Sequence, residues 1–125
     1  MNAQNQYAPG KHVLLDFWGA KGPTDQLFIE AALKKAAEAC GATVLAVKLH
    51  AFGENSGITG VALLAESHIS IHTWPEADYM ALDIFMCGSC DADEAIEPLR
   101  EIFHPEKVTI KKIQRGLWAE TEESK

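Results

Sequence analysis

Glu66-Ser67 is followed by His68 and, five residues beyond the serine, by His72, so a hydroxyl and two imidazoles lie close together in the chain. A serine hydroxyl attacks a carbonyl carbon only when a base takes its proton, and a neutral imidazole suits that task near neutral pH. His72 sits in a stretch that reads as a strand and could fold back beside Ser67; spacing alone leaves that contact open. Further on, Cys87 and Cys90 form a C-x2-C pair, so His68, His72, Cys87 and Cys90 also offer four soft ligands for zinc. Against zinc, the C-x2-C follows the histidines, and a metal leaves the Glu66-Ser67 pair unused. A thioredoxin-like redox role fits no better, since the cysteines open no helix in a βαβ unit. The remaining reading is a structural strand whose solvent side happens to hold histidines.

The elements that must position these residues follow from periodicity. Residues 11–18 are rich in strand formers, and Gly19 to Gly22 break the pattern. From about Thr24, Leu27, Phe28, Ala31, Ala32, Leu33, Ala36 and Ala37 recur at helical spacing, and Gly41 is placed to end that helix. Thr43 to His50 alternates as a strand, and a polar loop spans Gly53 to Gly57. Strands are expected over Val61–Ala65, His68–Thr73, Met80–Met86 and Val108–Gln114. In an extended 68–73, His68, Ser70 and His72 share one face while Ile69 and Ile71 share the other. Asp91 can cap a second helix with Glu94 as its capping-box partner, and Pro98 should kink or shorten that helix. The order β-α-β-β-β-β-α-β predicts an α/β (α+β) two-layer sandwich, a mostly antiparallel sheet with both helices on one face.

At 125 residues the chain supports a single domain, residues 1–125, with one core. Hydrophobic residues make up 47% and charged residues 23%, and no apolar run nears the roughly 20 residues of a bilayer-spanning helix. A net charge of −7 argues against a nucleic-acid surface, which needs clustered Lys and Arg. Met1 to Gln6 lacks the basic and apolar stretches of a secretory signal, and three cysteines are an odd number at unlike spacings, so a cytoplasmic protein with reduced thiols is expected. Cys40 reads as buried packing, and the acidic Glu120 to Glu123 as a solvated tail.

The string Ala65-Glu66-Ser67-His68-Ile69-Ser70-Ile71-His72-Thr73-Trp74-Pro75-Glu76 resembles the signature of the prokaryotic, short-class S-adenosylmethionine decarboxylase proenzymes. So do Gly10-Lys11-His12, Cys40-Gly41-Ala42-Thr43, Gly57-Ile58-Thr59-Gly60-Val61 and Asp83-Ile84-Phe85-Met86-Cys87-Gly88, which together cover about residues 10–116. The resemblance implies autocatalytic cleavage between Glu66 and Ser67 into a β chain, 1–66, and an α chain, 67–125. Ser67 would attack the carbonyl of Glu66, and elimination with loss of ammonia would leave a pyruvoyl group in place of the serine. That group forms a Schiff base with the substrate amine and drains electrons from the α carbon, as pyridoxal phosphate does elsewhere.

By the same resemblance His72 is the proton acceptor in processing and Thr59 an assisting hydroxyl. Cys87 is the proton donor in decarboxylation, Phe52 stacks on the adenine, and Glu76 holds the ribose hydroxyls. The product would feed aminopropyl transfer in spermidine synthesis, and the expected assembly is a homodimer of processed αβ units with sites shared across the interface. Where many relatives carry Tyr-Gly-Tyr after Glu76, this chain has Ala77-Asp78-Tyr79. The added acid raises arginine or ornithine as alternative substrates. A third class, a module that only binds partners, leaves the joint presence of Ser67, His72 and Cys87 unexplained.

Overall fold

Between Ser67 and Trp74 burial alternates residue by residue: Ser67, Ile69, Ile71 and Thr73 are buried, His68 and Ser70 half-buried, His72 and Trp74 exposed. Such a period of two is the pleat of a strand with one covered and one uncovered face. The computed structural model describes residues 8–117. Its elements are β1 (Gly10–Trp18), α1 (Gln26–Ala39), β2 (Val44–Ala51), β3 (Ile58–Leu64), β4 (Ser67–Trp74), β5 (Tyr79–Cys87), α2 (Ile96–Phe103) and β6 (Lys107–Arg115). The six strands make one sheet in the order β2-β3-β4-β5-β1-β6, antiparallel at every pairing. The expected two-layer α+β architecture is therefore present. Its order interleaves the chain: β1, from the first half, lies between β5 and β6 of the second.

One sheet face is buried beneath both helices. Val13, Leu15 and Phe17 of β1, Ile69 and Ile71 of β4, and Leu82, Ile84 and Met86 of β5 meet Ile29, Leu33, Ala36 and Ala37 of α1 and Leu99 and Phe103 of α2. The alanines let α1 sit close to the sheet, and Phe103 fills the space between layers with its ring 6.2 Å from that of Phe17 and 5.6 Å from that of Phe28. Asp25 caps α1, its carboxylate accepting from the Phe28 amide at 3.1 Å. Gly41, at φ +81°, follows the C-cap in the left-handed conformation that a side chain would resist.

The second helical stretch departs from the single capped helix expected. Asp91 caps a 3₁₀ turn, Ala92–Ala95, by accepting from the Asp93 amide at 3.0 Å. Glu94 gives its backbone amide to the Asp91 carbonyl at 3.1 Å and makes no capping-box contact. α2 starts only at Ile96, which places Pro98 in its first turn, where a missing N–H costs nothing.

The opposite sheet face carries no helix among the described residues. His12, Phe85 and His68 pack across it, with His68 stacked on Phe85 at 5.7 Å and His12 edge-on to Phe85 at 5.6 Å. Nearer the other end Trp74 stacks on Tyr79 at 5.2 Å, Trp18 lies 5.4 Å from Tyr79, and the Lys107 ammonium sits 5.2 Å above Trp18. No described helix is long and apolar enough to cross a membrane.

Candidate active site

β3 and β4 pair as far as Leu64 and Ser67, which leaves Ala65-Glu66 as a two-residue turn. Glu66 has φ +65°, a left-handed conformation that costs a residue with a side chain about 1–2 kcal/mol. The peptide from Glu66 to Ser67 thus leaves a strained residue and enters a strand. Cys87 ends β5 beside it. Its thiol donates to the Glu66 carbonyl oxygen at 2.6 Å and lies 3.8 Å from the Ser67 hydroxyl, which accepts from the Cys87 amide at 3.3 Å. Ser67 is 9% exposed, and a cleft of about 310 Å³ opens alongside, lined by Lys11, Cys87, Gly88, Ser89, Cys90 and Asp91 among others. On its rim the Lys11 ammonium donates to Asp93 at 2.8 Å and lies 3.6 Å from Asp91. The hydrogen bond between Lys11 and Asp93 is the main reason that the Lys11 pKa is raised and the Asp93 pKa lowered, so both stay charged at neutral pH.

A second group assembles at the far end of β4. Thr59 and His72 are cross-strand partners, with the Thr59 hydroxyl 3.3 Å from His72 Nδ1. Together with Phe52, Gly57, Thr73, Trp74 and Glu76 they line a cleft of about 250 Å³, and they also border an adjoining hollow that includes His50 and Ser70. Phe52 is 65% exposed and meets the His50 ring edge-on at 4.6 Å. Glu76 is held on a 3₁₀ turn, Pro75–Ala77. Thr73 braces this end from below: its buried hydroxyl donates to the Pro23 carbonyl at 2.7 Å and accepts from the Ile58 amide at 2.9 Å. Gly57 is required here, because a Cβ would collide with the Thr73 carbonyl oxygen.

The two groups do not meet within one chain. Ser67 and His72 are five residues apart on one strand, a span of about 16 Å, and an odd spacing puts them on opposite faces of the sheet. The fold-back contact of serine and histidine is therefore absent, because β4 is one straight strand. His68 and His72 are likewise about 13 Å apart, while the Cys90 thiol turns to the Gly41 carbonyl at 3.4 Å. The four soft ligands diverge, and no trio of His, Cys, Asp or Glu converges as metal ligands would among the described residues. Asp78 does not line the Phe52–Glu76 cleft; it adopts φ +53° and accepts from the Gly19 amide at 3.0 Å. Trp74, His50 and Thr73 were not singled out from sequence. Trp74 had a legible sign, sharing strand parity with His72, and so did Thr73, a hydroxyl at a core position of the alternation.

The sequence profile described as S-adenosylmethionine decarboxylase matches residues 11–116. An S-adenosylmethionine decarboxylase proenzyme of Methanococcus vannielii is 47% identical over 111 residues, covering 86% of this chain and 90% of that protein. One from Brevibacillus brevis is 45% identical over 111 residues, covering 86% and 83%, and one from Thermomicrobium roseum is 38% identical over 109, covering 86% and 94%. The crystal structure of the adenosylmethionine decarboxylase from Aquifex aeolicus superposes with a TM-score of 0.76 at 30% identity, covering 94% of this chain and 98% of that one. The chain belongs to the S-adenosylmethionine decarboxylase family.

Proposed function

We propose that this chain is a single-domain proenzyme that cleaves itself between Glu66 and Ser67 and then decarboxylates S-adenosylmethionine. The observation that carries the reading is the Cys87 thiol against the Glu66 carbonyl at the strained turn, within a family match spanning residues 11–116. Attack by the Ser67 hydroxyl on that carbonyl carbon forms an ester and moves the hydroxyl proton to the freed amide nitrogen. Negative charge builds on the carbonyl oxygen as this happens, and a thiol hydrogen bond there stabilises it. Elimination then breaks the ester, releasing Glu66 as the carboxylate end of residues 1–66 and leaving a dehydroalanine, whose imine tautomer takes up water and loses ammonia to become the ketone.

The residues around Ser67 fit a pyruvoyl group: its position is shielded by burial, and the Cys87 thiol close by lines a cleft. When formed, that group supplies a ketone that condenses with an amine and withdraws electrons from the α carbon. Cys87 then holds the proton to be returned to the substrate. Phe52 offers a ring face for a purine, and Glu76 offers two carboxylate oxygens to vicinal hydroxyls. Arginine or ornithine would leave both without a task, and Asp78, the residue that raised those substrates, lies outside the cleft.

The proton acceptor must come from elsewhere, since His72 and Thr59 lie about 16 Å from Ser67 in the same chain. A second copy that brought its own His72 and Thr59 to the β3–β4 turn of the first would supply Ser67 with that acceptor. The assembly is therefore a homodimer of processed units, each site built by both copies. A net charge of −7 and no described membrane-crossing helix accord with a cytoplasmic enzyme acting on a small cationic substrate. Intact mass and carbon dioxide release test the reading. Two fragments split after Glu66, the second with a blocked terminus, and turnover of S-adenosylmethionine but not arginine or ornithine are expected. A chain that stays whole after long incubation overturns it.

A further inference from the structure

Cys90 is a thiol that the proposed reaction does not use, and it sits in the same cleft wall as Cys87. Cys87-Gly88-Ser89-Cys90 form a tight turn, closed by the Cys90 amide donating to the Cys87 carbonyl at 3.4 Å, with Gly88 at φ +68°. Ends of such a turn have Cα atoms less than about 7 Å apart, and a disulfide needs about 4.4–6.8 Å. Both residues are partly exposed, Gly88 and Ser89 are exposed, and no helix or strand would have to break for the sulfurs to meet. We propose that Cys87 and Cys90 are a modification site, an oxidisable dithiol whose closure to a disulfide removes the thiol proton from the active site.

A hydroperoxide is the class of oxidant required. One thiolate displaces water or an alcohol from the peroxide and becomes a sulfenic acid; the second thiol attacks that sulfur and expels water. The two sulfurs together lose two electrons, the peroxide bond takes them, and the two thiol protons leave in the released water or alcohol. Closure turns the Cys87 sulfur away from Glu66 and Ser67 and leaves it with no hydrogen to donate. Cys40, the third cysteine, is a poor competitor. It is only 5% exposed, and burial pushes its thiol up to about 12, so almost none is the reactive thiolate.

The effect on turnover rests on the decarboxylase reading, whereas the disulfide itself does not. The test treats the full chain, cleaved or uncleaved, with hydrogen peroxide and maps disulfides by peptide mass, following carbon dioxide release in parallel. A peptide linking Cys87 to Cys90 and lighter by two hydrogens should accumulate as activity is lost, and dithiothreitol should restore both. Cys90→Ser should lack the linked peptide and, after prolonged peroxide, recover much less activity under dithiothreitol, because an unpartnered Cys87 proceeds to sulfinic acid. A Cys40–Cys90 link, no link at peroxide levels that abolish activity, or equal recovery of Cys90→Ser and wild type would overturn the proposal. An uncleaved and inactive chain that still forms the Cys87–Cys90 link would instead sink the enzymatic reading alone.

Discussion

The Cys87 thiol lies 2.6 Å from the carbonyl oxygen of Glu66, and the same sulfur lies 3.8 Å from the Ser67 hydroxyl. One group therefore touches both the carbonyl of the bond to be cut and the hydroxyl that attacks it. The two roles differ in weight. Cys87→Ala should slow self-cleavage about five- to tenfold, the loss of one hydrogen bond worth about 1 kcal/mol. Decarboxylation should fall about 100-fold or more, since a proton donor is removed outright. Fragment formation on denaturing gels and carbon dioxide release separate the effects; equal losses would contradict this division.

Because Ser67 and His72 occupy opposite ends of β4, complementation can tell one copy from two. Ser67→Ala and His72→Ala chains should each stay whole when made alone. Expressed together, they should yield cleavage of the His72→Ala chain only, with its Ser67 served by the other copy's histidine. Mass spectrometry of the mixture identifies which chain is cut, and no cleavage in the mixture would place the histidine's action within one chain.

Thr73 gives a stability prediction away from the chemistry. Thr73→Val keeps the shape but leaves the Ile58 amide, and the Pro23 carbonyl, without the hydroxyl that joins them. The cost is about 1–3 kcal/mol, read as a drop of several degrees in Tm by calorimetry. Thr73→Ser, which restores the hydroxyl, should recover most of it.

His12 supplies the pH dependence. Burial is the main cause that holds its pKa below the usual value; Asp83, 4.0 Å away, pulls it up, while Arg115 and His68 push it down. The unfolded chain, with the ordinary value near 6.5, takes up the proton first on acidification, so it binds more protons than the folded one. Stability is lost as pH falls below about 6.5 and toward the depressed folded value. Urea midpoints measured between about pH 7.5 and about pH 5 should decline for the native chain and decline less for His12→Gln.

The alternation of residues 68–73 was readable from sequence because a half-covered strand writes its two faces directly into the order of residues, and the antiparallel sheet followed from strands adjacent in the chain. The separation of Ser67 from His72 was not, because a catalytic-looking spacing carries no distance until the strand is known to run straight. Asp91 and Glu94 spell a capping box, yet Pro98 cannot lie deep in a helix, and the chain resolves that conflict with a 3₁₀ turn before α2. Phe52 and Glu76 come together through a loop and a turn, and what places them is the Thr73 hydroxyl beneath, a buried contact between segments 50 and 15 residues distant in sequence.

The placement of β1 between β5 and β6 decides what a cut at Glu66 does to the molecule. Fragments that merely lay side by side would part along one seam on dilution. Here the first fragment is threaded into the second, and separating them means unzipping three seams, β3 from β4, β5 from β1 and β1 from β6. The cleaved protein should thus endure dilution as if still one chain, but once melted its two pieces must find each other by collision. Folding is a first-order event for the precursor and a second-order one ever after, which makes the self-inflicted cut a one-way gate.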